Sequence, residues 1–442
     1  MRAAVDDARM RRSIRIASGL IGLLFVLACV AWSGQKQPVP VSILMPAPYA
    51  DASTQMVEAF NREHRGSIHL EVIRGPLETE SISDLAISSL LLGDTPFDAL
   101  LMDVTWLPKY AEAGWLEPLD PWFDQAALDQ LILGARLGNH HKGQLYRWPL
   151  GADVGVLYWR TDLMDSPPST PEQLSEIAIN LVQAQRVANG YVWQGRQYEG
   201  LSCNFVEVLH GFGGQWLNPA TGQLELDATA AARAAAWMQS LITTGASPRA
   251  VTNYSESESL QAFKAGDAAF MRNWPYAWAE LQKPESKVQG NVGIALMVAE
   301  PDQSPAATVG SWGLSLLKQS PHPEAAVEAI RYLTSEAAQR ERFLNQGYTP
   351  TSKSLFTDPE LIAVSSALPE IAKALDYSVA RPPSPLYAQL SDLLQRQLNG
   401  LLTAEPAKTN RAIDTATAAS AAAMNRVQTK SDMLLKATGA EA

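Results

Sequence analysis

The sequence predicts an α/β protein with two lobes, on the basis of its length and of its alternating strand and helix patterns. At 442 residues the chain exceeds the size at which a single hydrophobic core stops growing. Before residue 115, short apolar stretches typical of strands alternate with helical patterns, which favours crossover units that feed a mostly parallel sheet. A second mixed α/β region follows Trp159. We therefore expect one sheet in each lobe.

The first lobe is predicted to open with a buried strand at residues 41–45, which ends at Pro46. Asp51 or Ser53 is expected to cap a helix that runs to His64. Ligands of such sheets lie beyond the carboxyl ends of the strands. Asp51 therefore stands where a ligand group is expected, with capping as its alternative role.

A second predicted strand end carries Asp103, which follows the short, mostly apolar stretch 97–102. Asp153 similarly lies at the boundary of the extended stretch 153–159. A buried carboxylate at a strand boundary needs hydrogen-bond partners, and a bound hydroxyl-rich ligand would supply them. The alternatives are that Asp103 caps a helix beginning near Thr105 and that Asp153 holds a turn.

The rest of the chain continues the mixed pattern. A long helix from Pro323 to Gln346 is predicted by proline at its start and by Gly347 just past its end. The Ala-rich residues 411–438 are expected to form a closing helix. Further helices are predicted near 171–189, 203–212, 228–244 and 258–265, and strands at 268–271 and 292–296.

The amino terminus predicts export. Arginines precede an apolar run at residues 16–32, and a polar linker follows, which is the order found in signal peptides. Residues 26–29 resemble a bacterial lipobox, which would place a lipid on Cys29. The alternatives are cleavage elsewhere and an uncleaved anchor helix. Each alternative places the remainder of the chain outside the cytoplasm.

Several functional classes are disfavoured. The net charge is -11, and no run of Lys or Arg occurs after residue 16, so nucleic acid is not an expected partner. The sequence has no phosphate-binding loop, serine nucleophile elbow or dinucleotide fingerprint. The six histidines offer no metal-ligand spacing. We expect neither a metal nor a cofactor.

Tryptophan placement indicates a different chemistry. Several of the 12 tryptophans, among them Trp274 and Trp312, stand beside turn residues instead of inside apolar runs. An indole offers a flat apolar face to the C–H face of a sugar ring, and carboxylates nearby would accept hydrogen bonds from sugar hydroxyls. The alternative for each tryptophan is half-buried packing.

Several stretches together resemble the solute-binding proteins of ABC sugar importers, in the branch similar to trehalose/maltose-binding proteins. The resemblance covers about residues 40–402 and depends on the order and spacing of the stretches. These are 97–103 with Trp106, 113–119, 154–163, 192–194, 198–201, 270–277, 310–312, Arg381 with Pro382, and Tyr387.

The resemblance implies a two-lobe periplasmic-binding-protein fold of the type II, maltose-binding-protein-like class, with a three-segment hinge. The hinge segments are expected near 149–155, 299–312 and 347–352. The expected division is residues 1–37 for the signal, anchor and linker, 38–150 with 302–349 for lobe one, and 151–301 with 350–442 for lobe two.

The resemblance also implies ligand-binding roles. Asp103 and Asp153 would accept hydroxyls, Trp274 and Trp312 would stack on sugar rings, and Arg381 would donate. Many relatives carry glycine where Ser311 stands before the tryptophan, so Ser311 would narrow the pocket or offer a hydroxyl. The remaining expected ligand-binding residues are Asp51, Glu78 and Tyr276.

The implied function is the non-enzymatic substrate-binding component of an ABC importer. It would capture a disaccharide or a glucoside-type compatible solute, such as trehalose, sucrose, maltose or glucosylglycerol, and would deliver it to permease subunits served by a cytoplasmic ATPase. We expect a monomer in the periplasm or at the outer face of the inner membrane. The alternatives are a secreted glycoside hydrolase, which also uses two carboxylates, and a membrane-tethered sugar sensor without a transporter.

Overall fold

Two larger β-sheets, of five and four strands, organise the part of the chain that the structure describes. The structure, a computed structural model, describes residues 37–93, 96–217, 225–404 and 412–438. The signal-peptide segment and Cys29 lie outside these residues. The strands are β1 Val39–Pro46, β2 Ile68–Gly75, β3 Ala99–Asp103, β4 His140–His141, β5 Gln144–Leu145, β6 Trp148–Gly151, β7 Val156–Arg160, β8 Asn189–Val192, β9 Ala268–Asn273, β10 Val292–Ala295, β11 Ala307–Thr308, β12 Trp312–Leu316 and β13 Ser378–Val379.

Helices cover both sheets and connect most of the strands. They include two 3₁₀ turns at Arg249–Asn253 and Lys353–Thr357. The α-helices are α1 Ala47–Glu63, α2 Thr79–Leu92, α3 Leu107–Glu112, α4 Gln125–Asp129, α5 Leu133–Arg136, α6 Pro171–Gln183, α7 Glu199–Gly211, α8 Ala228–Thr243, α9 Glu256–Lys264, α10 Ala277–Leu281, α11 Pro323–Thr334, α12 Glu336–Gln346, α13 Pro359–Val364, α14 Leu368–Asp376, α15 Tyr387–Thr403 and α16 Ala412–Thr438.

The first sheet has the strand order β2-β1-β3-β12-β6. Strands β2, β1 and β3 run parallel, whereas β12 is antiparallel to both β3 and β6. The prediction of parallel crossover units therefore holds for the first three strands. In this register Trp312 pairs with Asp103 on one side and with Gly151 on the other. Residues distant in sequence thus meet at the carboxyl edge of β3.

The second sheet has the order β10-β7-β9-β8. Strand β9 is antiparallel to β7, and Val156 pairs with Asn273. The chain therefore places the residue after β9, Trp274, beside the start of β7. The long α16 packs against α8 and α15 on this side of the molecule, which confirms the predicted closing helix.

The connections between the sheets meet at one place. Val154 and Val309 form an isolated antiparallel bridge, and β11 pairs with β13 in parallel. The bridge is held by hydrogen bonds from Gly155 N to Thr308 O (3.3 Å) and from Gly310 N to Asp153 O (2.8 Å). Three passages of the chain between the sheets are thus tied together by backbone hydrogen bonds.

The segment after α12 begins beside the first sheet. Leu131 bridges to Ser352, and Ile132 N donates to Thr351 O at 2.9 Å. Further along, Leu375 of α14 lies against Gly134 in α5. The third passage of the chain between the sheets therefore lies after residue 352.

Several helix predictions were wrong in their boundaries, and the helix predicted near 171–189 ends at Gln183. The predicted helix 323–346 is two helices, because Ser335 adopts extended backbone angles and its side chain accepts the Ala338 N–H as the N-cap of α12. The first helix begins at Ala47 directly after β1, with proline in its first turn, so neither Asp51 nor Ser53 caps it.

Candidate functional site

A cleft of about 370 Å³ lies between the two sheets and is lined from both sides. Its volume is within the range of small-molecule sites, roughly 300–1,000 Å³. Its aromatic lining residues are Tyr49, Tyr198, Trp274, Tyr276, Trp312 and Tyr348, and its charged lining residues are Glu78, Glu80, Asp103, Asp153, Glu199, Glu256, Arg196 and Arg381. Flat apolar faces and hydrogen-bonding groups therefore share one cavity.

The wall on the side of the first sheet is a cluster of tilted and edge-to-face rings. Trp312 lies with its ring centroid 5.7 Å from that of Tyr49 and 5.6 Å from that of Trp106. Tyr49 in turn lies 4.7 Å from Tyr348. Such aromatic contacts restrict ring rotation. The wall is therefore formed before a ligand arrives.

Asp103 stands at the carboxyl end of β3, where it is 4% exposed. Its Oδ1 accepts from Thr105 N (2.9 Å) and Thr105 Oγ1 (2.7 Å). Arg381 donates from Nη2 to Oδ1 (3.1 Å) and Oδ2 (3.2 Å). Asp103 therefore organises the turn before α3 and also lines the cleft, and Oδ2 keeps acceptor capacity for a ligand.

Arg381 joins Asp103 to a second carboxylate. Its Nη1 donates to Oε1 of Glu199 at 2.6 Å, and Glu199 also accepts from Tyr387 and from Ser391 Oγ (2.6 Å). Burial raises the pKa of Glu199, while Arg381 opposes the shift. Burial disfavours the charged form of Arg381, but Asp103 and the surrounding groups raise its pKa above the ordinary value. Nε of Arg381 is buried without a hydrogen-bond partner.

Asp153 lies in the passage between the sheets and is 7% exposed. Its carboxylate accepts from Tyr49 OH (3.3 Å) and from Thr349 Oγ1 (3.2 Å). Burial raises the pKa of Asp153 to about 6, although these hydrogen bonds oppose the shift. Asp153 therefore connects the passage to the first lobe, instead of holding a local turn only.

The wall on the side of the second sheet centres on Trp274, the residue after β9. Its Nε1 donates to Oε1 of Glu256 at 3.1 Å. The other oxygen of Glu256 accepts from Tyr198 OH at 2.8 Å. Tyr276, in the same turn as Trp274, completes the aromatic lining. The ring of Trp274 is thus held by a carboxylate that itself faces the cleft.

The two sides of the cleft touch near the start of α2. Nη2 of Arg196 lies 3.5 Å from Oε2 of Glu78, and Glu199 N donates to Oε1 of Glu80 at 3.3 Å. The glutamates come from the first sheet's side and their partners from the second sheet's side. The lobes are therefore in direct contact around the cavity.

The structure brings together most of the residues that the sequence singled out. Glu78, Asp103, Asp153, Trp274, Tyr276, Trp312 and Arg381 line the same cleft. Asp51 does not: its carboxylate is exposed and pairs with Arg74 Nε at 2.8 Å, which lowers its pKa. Ser311 is buried beside the cleft, where Oγ donates to Gly151 O (2.9 Å) and accepts from Arg147.

Sequence reasoning missed several lining residues. Glu199 and Glu256 were not selected; each is the first residue of a helix in the structure, where an acidic residue is expected for helix stability alone. Tyr49 and Tyr348 were also missed. Tyr49 lies two residues before the selected Asp51, in the first turn of α1, so the predicted region was correct but the chosen side chain was not the one that faces the cavity.

The site can bind and orient a polar molecule. Within the described ranges, no group of three or more metal-binding side chains is found. Across those same residues, no helix is long and apolar enough to cross a bilayer. The cleft offers acceptors at Asp103, Asp153 and Glu256, donors at Arg381 and Arg196, and apolar ring faces.

Comparisons with known proteins agree with this architecture. Residues 47–340 match the family model of the bacterial extracellular solute-binding proteins. A probable ABC transporter-binding protein of Deinococcus radiodurans is 36% identical over 350 residues, which covers 76% of this chain and 83% of that protein.

Solved structures also share the fold. The maltose-bound T. maritima MalE3 has a TM-score of 0.80 and 31% identity, covering 90% of this chain and 100% of that one. A solute-binding protein of Agrobacterium radiobacter K84 in complex with ribitol has a TM-score of 0.75 and 22% identity, with coverage of 90% and 99%. The predicted two-lobe, maltose-binding-protein-like fold is therefore confirmed, and the chain belongs to the family of bacterial extracellular solute-binding proteins.

Proposed function

We propose that this chain is the substrate-binding component of an ABC importer and that it captures a disaccharide or a glucoside-type compatible solute. Maltose, trehalose, sucrose and glucosylglycerol are the candidate ligands. The observation that carries the proposal is that Trp274 and Trp312 line one interlobe cavity together with Asp103 and Asp153. Maltose, the ligand of the T. maritima relative, belongs to the same chemical class.

The proposed mechanism is ligand-stabilised closure. A sugar ring on Trp274 would contact the second lobe, while Asp103 and Trp312 would bind it from the first lobe. A ligand that contacts both lobes favours the closed arrangement over the open one, because the open form offers only one set of contacts. The closed form would then be the one that the permease subunits recognise.

We propose that the lobes divide at residues 151–155, 307–310 and 376–381. The first two passages form the backbone bridge around Val154 and Val309. The third is proposed later than 347–352, because Thr351 and Ser352 bond to residues 131–132 beside the first sheet. It lies instead where β13 pairs with β11.

We also propose export by the amino-terminal signal, with lipid attachment at Cys29 and a monomeric protein tethered at the outer face of the inner membrane. The apolar run at 16–32 and the sequence 26–29 support this proposal. Mass spectrometry of the mature protein tests it. A diacylglycerol on an amino-terminal Cys29 is expected, and cleavage after that position would contradict the lipidation.

A thermal-shift panel tests the proposed function. A ligand that binds only the folded state must raise the melting temperature, by an amount that grows with the ratio of its concentration to Kd. We expect a shift with at least one of maltose, trehalose, sucrose and glucosylglycerol. If none of these sugars changes the melting temperature and calorimetry detects no heat of binding, sugar capture is refuted.

The two alternative functions, a glycoside hydrolase and a sugar sensor without a transporter, predict different experimental results. Incubation with the binding disaccharide and analysis of the products separates a receptor from a glycoside hydrolase: we expect unchanged sugar. A sensor without a transporter would bind the same ligand, and the presence or absence of neighbouring permease genes separates it from an importer component.

A further inference from the structure

We propose that Arg272 and Gly310 position the indole of Trp274 so that a single face of the ring is open to the cleft. This inference rests on the proposed function, because it assigns that open face to stacking on the ligand. It identifies two residues that determine where the stacking surface for the ligand lies.

Arg272 covers one face of the ring. Its guanidinium carbon lies 4.0 Å from the centroid of the Trp274 ring, the geometry of a cation–π contact. Arg272 is fully buried, and Nε donates to Oε2 of Glu207 at 2.9 Å while Nη2 bonds to the other oxygen. Because the guanidinium is fixed by this bidentate pair, no ligand can approach that face.

Two further contacts fix the ring. The pyrrole edge is held by the hydrogen bond from Nε1 to Glu256 at 3.1 Å. Over the six-membered ring, a Cβ on Gly310 would lie 2.8 Å from Cζ3, 2.9 Å from Cη2 and 3.2 Å from Cε3 of Trp274. Real Cβ atoms essentially never approach carbon so closely, so the ring takes this position only because residue 310 has no side chain.

The same supports touch the second passage between the lobes. Gly310 N donates to Asp153 O at 2.8 Å, and Thr308 N donates to Oε1 of Glu207 at 3.3 Å. The ring is therefore positioned by contacts to the hinge segment at residues 308–310. A ring held in this way loses little conformational freedom on ligand binding, which favours affinity.

Gly310→Ala tests the inference in two backgrounds, wild type and Trp274→Phe. In the wild-type background the added methyl must push the indole into the cavity, and overpacking of this kind should weaken sugar binding by roughly tenfold or more. In the Trp274→Phe background, the phenyl ring at residue 274 is smaller than the indole and lies nearer the backbone. The methyl group added at residue 310 would therefore not strike it. There Gly310→Ala should change Kd by less than about twofold.

The probe is whichever of maltose, trehalose and sucrose shifts the wild-type melting temperature most, and Kd is measured by calorimetry. Gly151→Ala is the matched control, because its Cβ would meet nothing nearer than 3.7 Å. An equal loss of affinity from Gly310→Ala in both backgrounds would overturn the inference, since it would indicate a backbone effect at the hinge.

Near-ultraviolet circular dichroism provides a readout without ligand. Gly310→Ala should alter the tryptophan bands in the wild-type background and leave them unaltered in Trp274→Phe, and unaltered bands in both would also overturn the inference. If wild type binds no sugar, the proposed function fails, whereas the spectroscopic comparison still decides the position of Trp274.

Discussion

Arg381→Met should destabilise the protein strongly and in a pH-dependent way. The substitution keeps an unbranched side chain and removes the cation that Asp103 and Glu199 share. The side chains of Arg381 and Asp103 are 1% and 6% exposed, and that of Glu199 is 17% exposed. Water therefore cannot replace the lost contacts.

The size of the effect follows from this burial. Removing one partner of a buried ion pair costs about 3–5 kcal/mol, because the remaining charge is left uncompensated. Folding free energies are only about 5–15 kcal/mol, so the variant should lose a large share of its stability. Arg340→Met is the matched control, because Arg340 also pairs with two carboxylates, Asp358 and Glu360, but at the surface. Its loss should be about 1 kcal/mol or less.

The pH dependence follows from Glu199, whose folded-state pKa burial already raises above its ordinary value of 4.5. A carboxyl with a raised folded-state pKa costs the folded state stability as the pH rises from the ordinary value through the raised one. Loss of Arg381 should raise that pKa further. The deficit of Arg381→Met should therefore be smaller near pH 5 than near pH 8.

Urea unfolding of wild type and both variants at the two pH values measures these differences. A deficit for Arg381→Met below about 1 kcal/mol, equal to that of the surface control, would refute the view that the Asp103–Arg381–Glu199 network holds the cleft together. A large deficit that is the same at both pH values would refute the role assigned to Glu199.

Three further predictions concern the cleft. Trp274→Ala should weaken sugar binding by about 1–3 kcal/mol, because stacking and burial are lost. Trp122 lies outside the cleft lining, so Trp122→Ala should leave the affinity measured by calorimetry unchanged. Equal effects of the two substitutions would contradict the ligand-binding role of Trp274. The folded-state pKa of Asp153 is raised to about 6 from 3.8, so its ionisation costs the folded state up to about 3 kcal/mol as the pH rises through that window. The melting temperature of Asp153→Asn should therefore rise relative to that of wild type as the pH increases from about 4 to about 7. A difference that stays constant over this range would be inconsistent with the raised pKa. Burial raises the pKa of Cys203, so its thiol should react with a disulfide reagent only on unfolding; rapid labelling of the native protein would argue otherwise.

The strand ends were predictable from the sequence. Asp103 follows the apolar residues 99–102, and the parallel arrangement of β1 to β3 places such residues at one edge. The pairing of Trp312 with Asp103 was not predictable in this way, because it depends on an antiparallel strand inserted from more than 200 residues later. Only the resemblance to a family placed the two residues together.

Helix starts were harder to interpret. Glu256 lies in the first turn of α9, inside a capping box formed by Ser255 and Glu258, so local stability accounts for an acidic residue there. Its second role, holding Trp274, depends on β9 arriving beside it. Ser335 likewise interrupts a strongly helical pattern, because a serine side chain caps as readily as it points to solvent.

One sugar should be held between indole and carboxylate groups of the two lobes. A crystal structure of the protein with the disaccharide that gives the largest thermal shift tests it directly. We expect a sugar ring stacked on the open face of Trp274, with hydroxyls bonded to Asp103 or Asp153 and a contact to Trp312. A sugar bound elsewhere, or touching residues of one lobe only, would contradict the account.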